Sequence, residues 1–446
     1  MSTIVDLQSA YRSGRQRPSQ VIEGFLDAIE RSELNSFVSV DREHALAAAK
    51  QADEIQQQGG DIPALHGMPI AIKDLIDVAG MRTTMGSEQY ADHVAQQHAE
   101  VVSRLLAAGA IVIGKANTHQ FAYGSTGDRS FFGAVRNPHN PGHMPGGSSS
   151  GSAAAVGEGL CVGALGTDTS ASVRLPGALC GVVGMKPTYD LLPRTGVFAL
   201  SHTLDHVGPL TKTVRDNAIL LEVLANEQAG AYTRHIGESI EGRVVGVPVE
   251  FFRGYLSPEV SAELDRARAA FEAAGAKVVE IDIDGIWDIY NAQQTVLKAE
   301  AYAVHREALQ AEAPYHPEIR TRLLGGESVS ADEYNQALGV QKHARQAFDA
   351  ALASVDVLLT ATCGVVAPPL EERETLLGNE KYSTPWLLTR LTAPTNLSGH
   401  PSVSVPFGAS NGLPIGMQII GQHRDEAVVY QYAAVLEAAN RTQEAV

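Results

Sequence analysis

The chain has 446 residues, 44% hydrophobic and 19% charged, an ordinary globular composition with room for one large domain or two to three average ones. Its 34 basic and 51 acidic side chains leave a formal charge of −17, which argues against direct contact with a nucleic-acid backbone and says nothing against a small neutral ligand. Three scattered cysteines exclude a disulfide framework, no apolar run approaches 18 residues, and "MSTIVDLQSAYRSGRQRPSQ" has no secretory pattern, so a cytoplasmic protein without a membrane span is expected.

In chain order, the first sixty residues predict two amphipathic helices, "SQVIEGFLDAIERS" with Val21, Phe25, Leu26 and Ile29 on one face, and "EHALAAAKQADEIQQQ". "MPIAIKDLID" predicts a short strand ending near Lys73. "AEVVSRLLAAGAIVIGKAN" reads as a helix stopped by Gly109 and a strand over Ala110–Ile113. A strand–helix–strand unit follows in "GRVVGVPVEF", "SPEVSAELDRARAAFEAAGA" and "KVVEIDI", with Ser257 as N-cap and Gly275 near the C-cap. "VDVLLTAT" and "PSVSVPFG" read as buried strands and "DEAVVYQYAAVLEAAN" as a closing helix. This alternation predicts an α/β fold in which helices cover both faces of a sheet. A single domain over 1–446 is expected, with about 230–350 as a more helical subdomain.

Two motif matches fail on context. "GAIVIGKA" has phosphate-loop spacing, but Ala116 stands where a hydroxyl should hold magnesium and the intervening residues read as strand. "GSSSG" matches a nucleophile elbow, yet "RNPHNPGHMP" before it cannot be the core strand that motif requires. No histidine pair with acidic neighbours has metal-ligand spacing, so neither metal nor cofactor is expected.

The chemistry lies in "GGSSSGSAAAVGEGLCVGALGTDTSASVRLPGALCGVVGMKP", from Gly146 to Pro187. Gly/Ser runs are often linkers, but a linker does not continue into forty nearly uncharged small residues. "GTDTSASVR" places Thr167, Asp168, Thr169, Ser170 and Ser172 on one tight loop. Such a loop is either a network of local turn bonds or a source of free N–H groups for an oxyanion.

This stretch, with "GMPIAIKD", "FAYGSTGDRSFFGAVRNPHNPGHMPGG", "TLDHVGPLTKTV" and "GLPIGMQIIG", resembles the amidase signature family over nearly the whole chain. The resemblance implies the amidase signature fold, one large mixed β-sheet, and cleavage of carboxamide-type C–N bonds through a Ser–cis-Ser–Lys triad without a metal. By motif position the implied nucleophile is Ser172, the relay Ser148 and the base Lys73, with the N–H groups of Thr169, Ser170, Ala171 and Ser172 as oxyanion hole. The register alone singles out Ser148 from Ser149 and Ser150. Lysine serves as a base only when neutral, and an apolar strand end such as "PIAIK" favours that form. Asp168 and Arg174 are expected to pair and brace the loop.

Two departures bear on activity. Ser170 and Ala171 replace the two glycines usual before the nucleophile, a costly exchange wherever φ is positive. In "PWLLTRLTAPTNLSGHP", Thr389 and Arg390 stand where the glutamine-hydrolysing subunit of the tRNA-dependent amidotransferase carries an acidic residue for the substrate ammonium. A stand-alone amidase acting on small aliphatic or aryl amides is therefore expected, extending to carbamates (a urethanase) or urea-like bonds. The alternative is that glutamine-hydrolysing subunit. The lost glycines suggest a third reading, a non-catalytic relative. Tyr123, Phe132 and Trp386 are expected in the pocket wall, and Arg322, in "IRTRLLGG", to face a substrate carboxylate. A homodimer is the default assembly.

Overall fold

The computed structural model describes residues 2–59 and 62–444. Its centre is an eleven-stranded mixed sheet. In chain order the strands are β1 (Phe37–Val40), β2 (Pro69–Lys73), β3 (Ile111–Ala116), β4 (Gly163–Asp168), β5 (Val183–Lys186), β6 (His206–Thr211), β7 (Val244–Pro248), β8 (Lys277–Ile281) and β9 (Val357–Ala361). A separate hairpin, β10 (Glu374–Leu377) and β11 (Glu380–Ser383), precedes the last two sheet strands, β12 (Ser402–Ser410) and β13 (Leu413–Ile420). Across the sheet the order is β1-β3-β2-β4-β6-β5-β12-β13-β9-β7-β8. Strands β2, β3 and β4 run parallel to one another, as do β7, β8 and β9, while the middle of the sheet is antiparallel.

Helices flank the sheet. Ser402 of β12 meets Arg174 at the head of the helix Arg174–Leu179, and Phe407 of the same strand lies under Arg266 of the helix Pro258–Ala273. The strand–helix–strand unit expected from 242–283 forms as parallel β7 and β8, with Ser257 as N-cap and Gly275 at φ +89°. Region 230–350 supplies these two strands to the main sheet and three further helices, Ile286–Gln310, Pro317–Leu324 and Ala331–Leu352.

Three of the structure's departures from the sequence expectations have a plain physical cause. A third N-terminal helix, Ile4–Arg12, starts from a capping box between Thr3 and Asp6. Strand β3 runs on to Ala116, because Lys115 is buried and meets Asp74 at 3.6 Å instead of marking a turn. Thr167 and Asp168 belong to β4 rather than to a loop: β4 pairs with both β2 and β6, and those ladders outweigh the weak strand preference of Gly and Asp. Among the described residues no helix is long and apolar enough to cross a membrane, and the three cysteines are free and buried.

Candidate active site

The apolar run of β2 is buried between β3 and β4, and this carries the Lys73 side chain into the interior with no exposed surface. Its Nζ lies 2.8 Å from Ser148 Oγ and 2.8 Å from Thr167 Oγ1. Burial pushes the amine down to about 7, against the opposing pull of Asp168 and Asp205. A lysine in that range is substantially neutral at physiological pH.

Ser148 sits where the chain turns into the helix Ser150–Glu158, and the Gly147–Ser148 peptide is cis. Gly146 has φ +78°, and a Cβ there would lie 2.9 Å from the Pro176 backbone, so glycine is required by conformation and by space. The Ser148 carbonyl accepts from Thr118 Oγ1 and the His119 amide. Ser149 Oγ bonds both the carbonyl and the amide of Thr167, and the Ser149 amide donates to the Ser172 carbonyl at 3.2 Å. The Gly/Ser segment is thereby stitched to β4 on one side and to residue 172 on the other.

Beyond β4 the chain loops through Thr169–Val173 into the helix Arg174–Leu179. The amides of Thr169, Ser170, Ala171 and Ser172 have no acceptor among the described residues. Neither Ser170 nor Ala171 has positive φ, so the missing glycines bring no left-handed strain. Ser170 Oγ instead receives Gln293 Nε2 at 2.7 Å, and the same amide group reaches the Thr169 carbonyl at 3.1 Å. Thr169 Oγ1 donates to Asp205 at 2.7 Å. The side chains of Gln293 and Asp205 both fix the loop; Asp205 lies in the stretch "TLDHVGPLTKTV" without having been given a role, and Gln293 lies in no quoted motif.

Asp168 and Arg174 form the expected pair, at 2.8 Å and fully buried. Burial alone would raise the Asp168 carboxyl, but the Arg174 guanidinium and the bond from Asn396 hold it well below the usual range. Arg174 also reaches Thr395, Asn396, Ser402, Gln418 and the Ser170 carbonyl. Replacing it with methionine would strand a buried carboxylate, and is expected to lower folding stability by about 3–5 kcal/mol. Urea unfolding followed by circular dichroism checks this through the midpoint.

A cavity of about 240 Å³ opens over Ser172. Tyr123, Arg322 and Trp386 line it as expected from sequence, together with Thr169 and Ser170. Arg322 donates to the Tyr123 carbonyl at 3.0 Å and lies over its ring. Phe132 does not line it. Asn35 Nδ2 holds the Phe132 carbonyl at 2.8 Å, and the ring packs on the exposed Phe131, outside the cavity. The helix Ile286–Gln310 contributes Tyr290, Gln294, Leu297 and Lys298, none of which the sequence singled out.

Of the two residues in place of the acidic anchor, Thr389 lines the cavity. Arg390 is turned away and buried among Phe251, Tyr255, Trp287 and Trp386, with its guanidinium 4.5–5.9 Å from the ring centres. It donates to the carbonyls of Gly254 and Phe251. Elsewhere, Asp349, His400 and His423 bring one potential metal-ligand atom each within 4.8 Å, a grouping invisible in their sequence spacing. His400 is already bonded to Asp349 and Ser398, and His423 to the Ser398 carbonyl.

Residues 20–429 match the sequence pattern of the family described as amidase. The chain is 34% identical over 480 residues to a subunit of the glutamyl-tRNA(Gln) amidotransferase of Koribacter versatilis, covering 98% of each protein. A solved crystal structure of an amidase superposes with a TM-score of 0.92 at 33% identity, covering 98% of this chain and all of that one. The peptide amidase of Stenotrophomonas maltophilia gives a TM-score of 0.83 at 26% identity, covering 99% of this chain and 97% of the other.

Proposed function

The chain belongs to the amidase signature family of C–N-bond hydrolases, and from that premise we propose that it is a stand-alone amidase of small linear amides acting through an acyl-enzyme on Ser172. Carbamates and urea-like bonds would follow the same route. The observation that carries the reading is the buried Lys73 amine, near pKa 7 and 2.8 Å from Ser148.

With Lys73 neutral, its lone pair accepts the Ser148 hydroxyl proton while Ser148 takes the proton of Ser172, whose hydroxyl makes no hydrogen bond to a described residue in the ligand-free chain and must close on Ser148 for the transfer. Ser172 Oγ attacks the amide carbon. The carbonyl oxygen becomes an oxyanion facing the unpaired amides of residues 169–172, where removing one such donor typically costs about 10²–10³ in rate. The proton returns from Lys73 through Ser148 to the leaving nitrogen, the C–N bond breaks and the amine departs. Water then attacks the ester carbon as its proton passes through Ser148 to Lys73, the bond to Ser172 Oγ breaks as that proton returns to Ser172, and the acid departs. This route calls for no cofactor.

The likeness to an amidotransferase component supports a second reading, a glutaminase subunit of a tRNA-dependent amidotransferase. The cavity weighs against it. Glutamine carries an ammonium as well as a carboxylate, and no aspartate or glutamate lines the wall to receive the cation. Assay of the purified chain against aliphatic amides, anilides, carbamates and glutamine distinguishes the two. Turnover of simple amides without a second subunit is expected; activity confined to glutamine and dependent on a partner would overturn the stand-alone reading.

A further inference from the structure

We propose that Gln293 is a positioning residue of the oxyanion loop, and that by holding the Thr169 carbonyl and the Ser170 hydroxyl together it sets the direction of the Ser170 amide. The inference rests on the amidase reading above and deepens it by assigning the aim of one donor to a side chain on a distant helix.

A peptide unit is planar, so a carbonyl held on one side sends the N–H of the next residue to the other. The four free amides of residues 169–172 follow the carbonyls of Asp168, Thr169, Ser170 and Ala171, and each of those carbonyls is held. Asn396 Nδ2 donates to the first at 3.0 Å, Gln293 Nε2 to the second at 3.1 Å and Arg174 to the third at 3.2 Å. The Leu175 amide donates to the fourth at 2.7 Å. Asn396 and Arg174 also bond the Asp168 carboxylate, so they serve the buried ion pair as well as the loop.

Gln293 is different. It is fully buried on the helix Ile286–Gln310 and, among the described residues, bonds this loop and its neighbour Gln294 alone. A carbonyl only accepts, so the NH2 end of Gln293 must face Thr169. That group also donates to Ser170 Oγ at 2.7 Å, and the Gln293 oxygen takes Gln294 Nε2 at 2.7 Å. Ser170 stands where a glycine is usual, and its hydroxyl gives Gln293 a second grip on the same stretch of backbone. The Ser170 amide therefore keeps its direction before a substrate arrives, which is the condition for stabilising an oxyanion.

The test follows the rate at which a fluorophosphonate modifies Ser172, because its phosphoryl oxygen takes the place of the oxyanion and no substrate need be known. Wild type is compared with Gln293→Leu, Ser170→Ala and the double variant, with circular dichroism confirming the fold. The rate is expected to fall about tenfold or more in Gln293→Leu and about fivefold in Ser170→Ala. The double variant should lie within about twofold of Gln293→Leu, since the two groups act as one clamp. The midpoint of rate against pH should stay near 7 throughout, because Lys73 is untouched; a general loosening of the site would move it. If Gln293→Leu does not fold, Ser170→Ala decides alone. A rate within about twofold of wild type in either folded single variant, losses that multiply in the double variant, or a shifted midpoint would overturn the proposal. In each of these cases a labelled wild-type Ser172 leaves the amidase reading standing. A wild-type protein that the reagent does not label at Ser172 would sink both.

Discussion

Ser172→Ala is expected to reduce kcat/KM by on the order of 10⁵ or more while leaving the fold intact. The two halves of this expectation have separate grounds. The Ser172 hydroxyl makes no hydrogen bond to a described residue, so its removal costs the folded state no bond. Stability should change by no more than about 0.5 kcal/mol. Chemically the loss is severe, since no second nucleophile stands on this loop in place of Ser172: Ser170 Oγ is tied to Gln293, and Thr169 Oγ1 donates to Asp205. Steady-state kinetics beside thermal unfolding monitors both halves. Activity near that of the wild type would remove Ser172 from the mechanism.

Lys73→Ala is expected to remove most activity and to change its dependence on pH. In the wild-type protein the amine must be neutral to take a proton, and burial brings it to about 7. Below that value Lys73 is increasingly protonated and kcat/KM falls; above it the neutral form dominates and the rate levels off. Without the amine this limb should disappear, and the residual rate should keep climbing toward alkaline pH as hydroxide substitutes for the base. The substitution also leaves Ser148 Oγ and Thr167 Oγ1 facing an emptied space, so folding should be checked in parallel. A variant with the wild-type pH profile would show that the titrating base lies elsewhere.

The triad candidates follow from the resemblance, by motif position, and local pattern marks only the segments that hold them, without separating Ser148 from Ser149 and Ser150. Lys73 ends a β-branched apolar run, and Ser148 and Ser172 lie in a nearly uncharged small-residue segment unlike any linker. The α/β alternation was equally readable where helices and strands each had one dominant period, as in β7, the helix Pro258–Ala273 and β8. Other elements were hidden for identifiable reasons. The Gly and Asp of β4 disguise a strand whose stability comes from its partners β2 and β6. Phe132 was expected in the pocket wall, but Asn35, almost a hundred residues earlier, ties its carbonyl outside the cavity.

The cavity wall was the least legible part. Gln293 and Lys298 sit on a 25-residue helix whose apolar pattern identifies its buried stripe. Nothing in that pattern says which polar residues at the stripe's edge will meet a loop more than 120 positions earlier. Likewise the sequence places Arg390 at the position of an acidic substrate anchor, yet Trp386 on the same helix and three aromatic rings from distant segments enclose it.

In the proposed mechanism a neutral Lys73 draws a proton from Ser172 by way of Ser148. The most direct measurement is the rate of covalent modification by a fluorophosphonate across pH 5 to 9, with the modified residue located by peptide mass spectrometry. One adduct is expected, on Ser172, forming at a rate that rises through about pH 7 and then flattens. An adduct on another residue, or a rate indifferent to pH over that range, would contradict it.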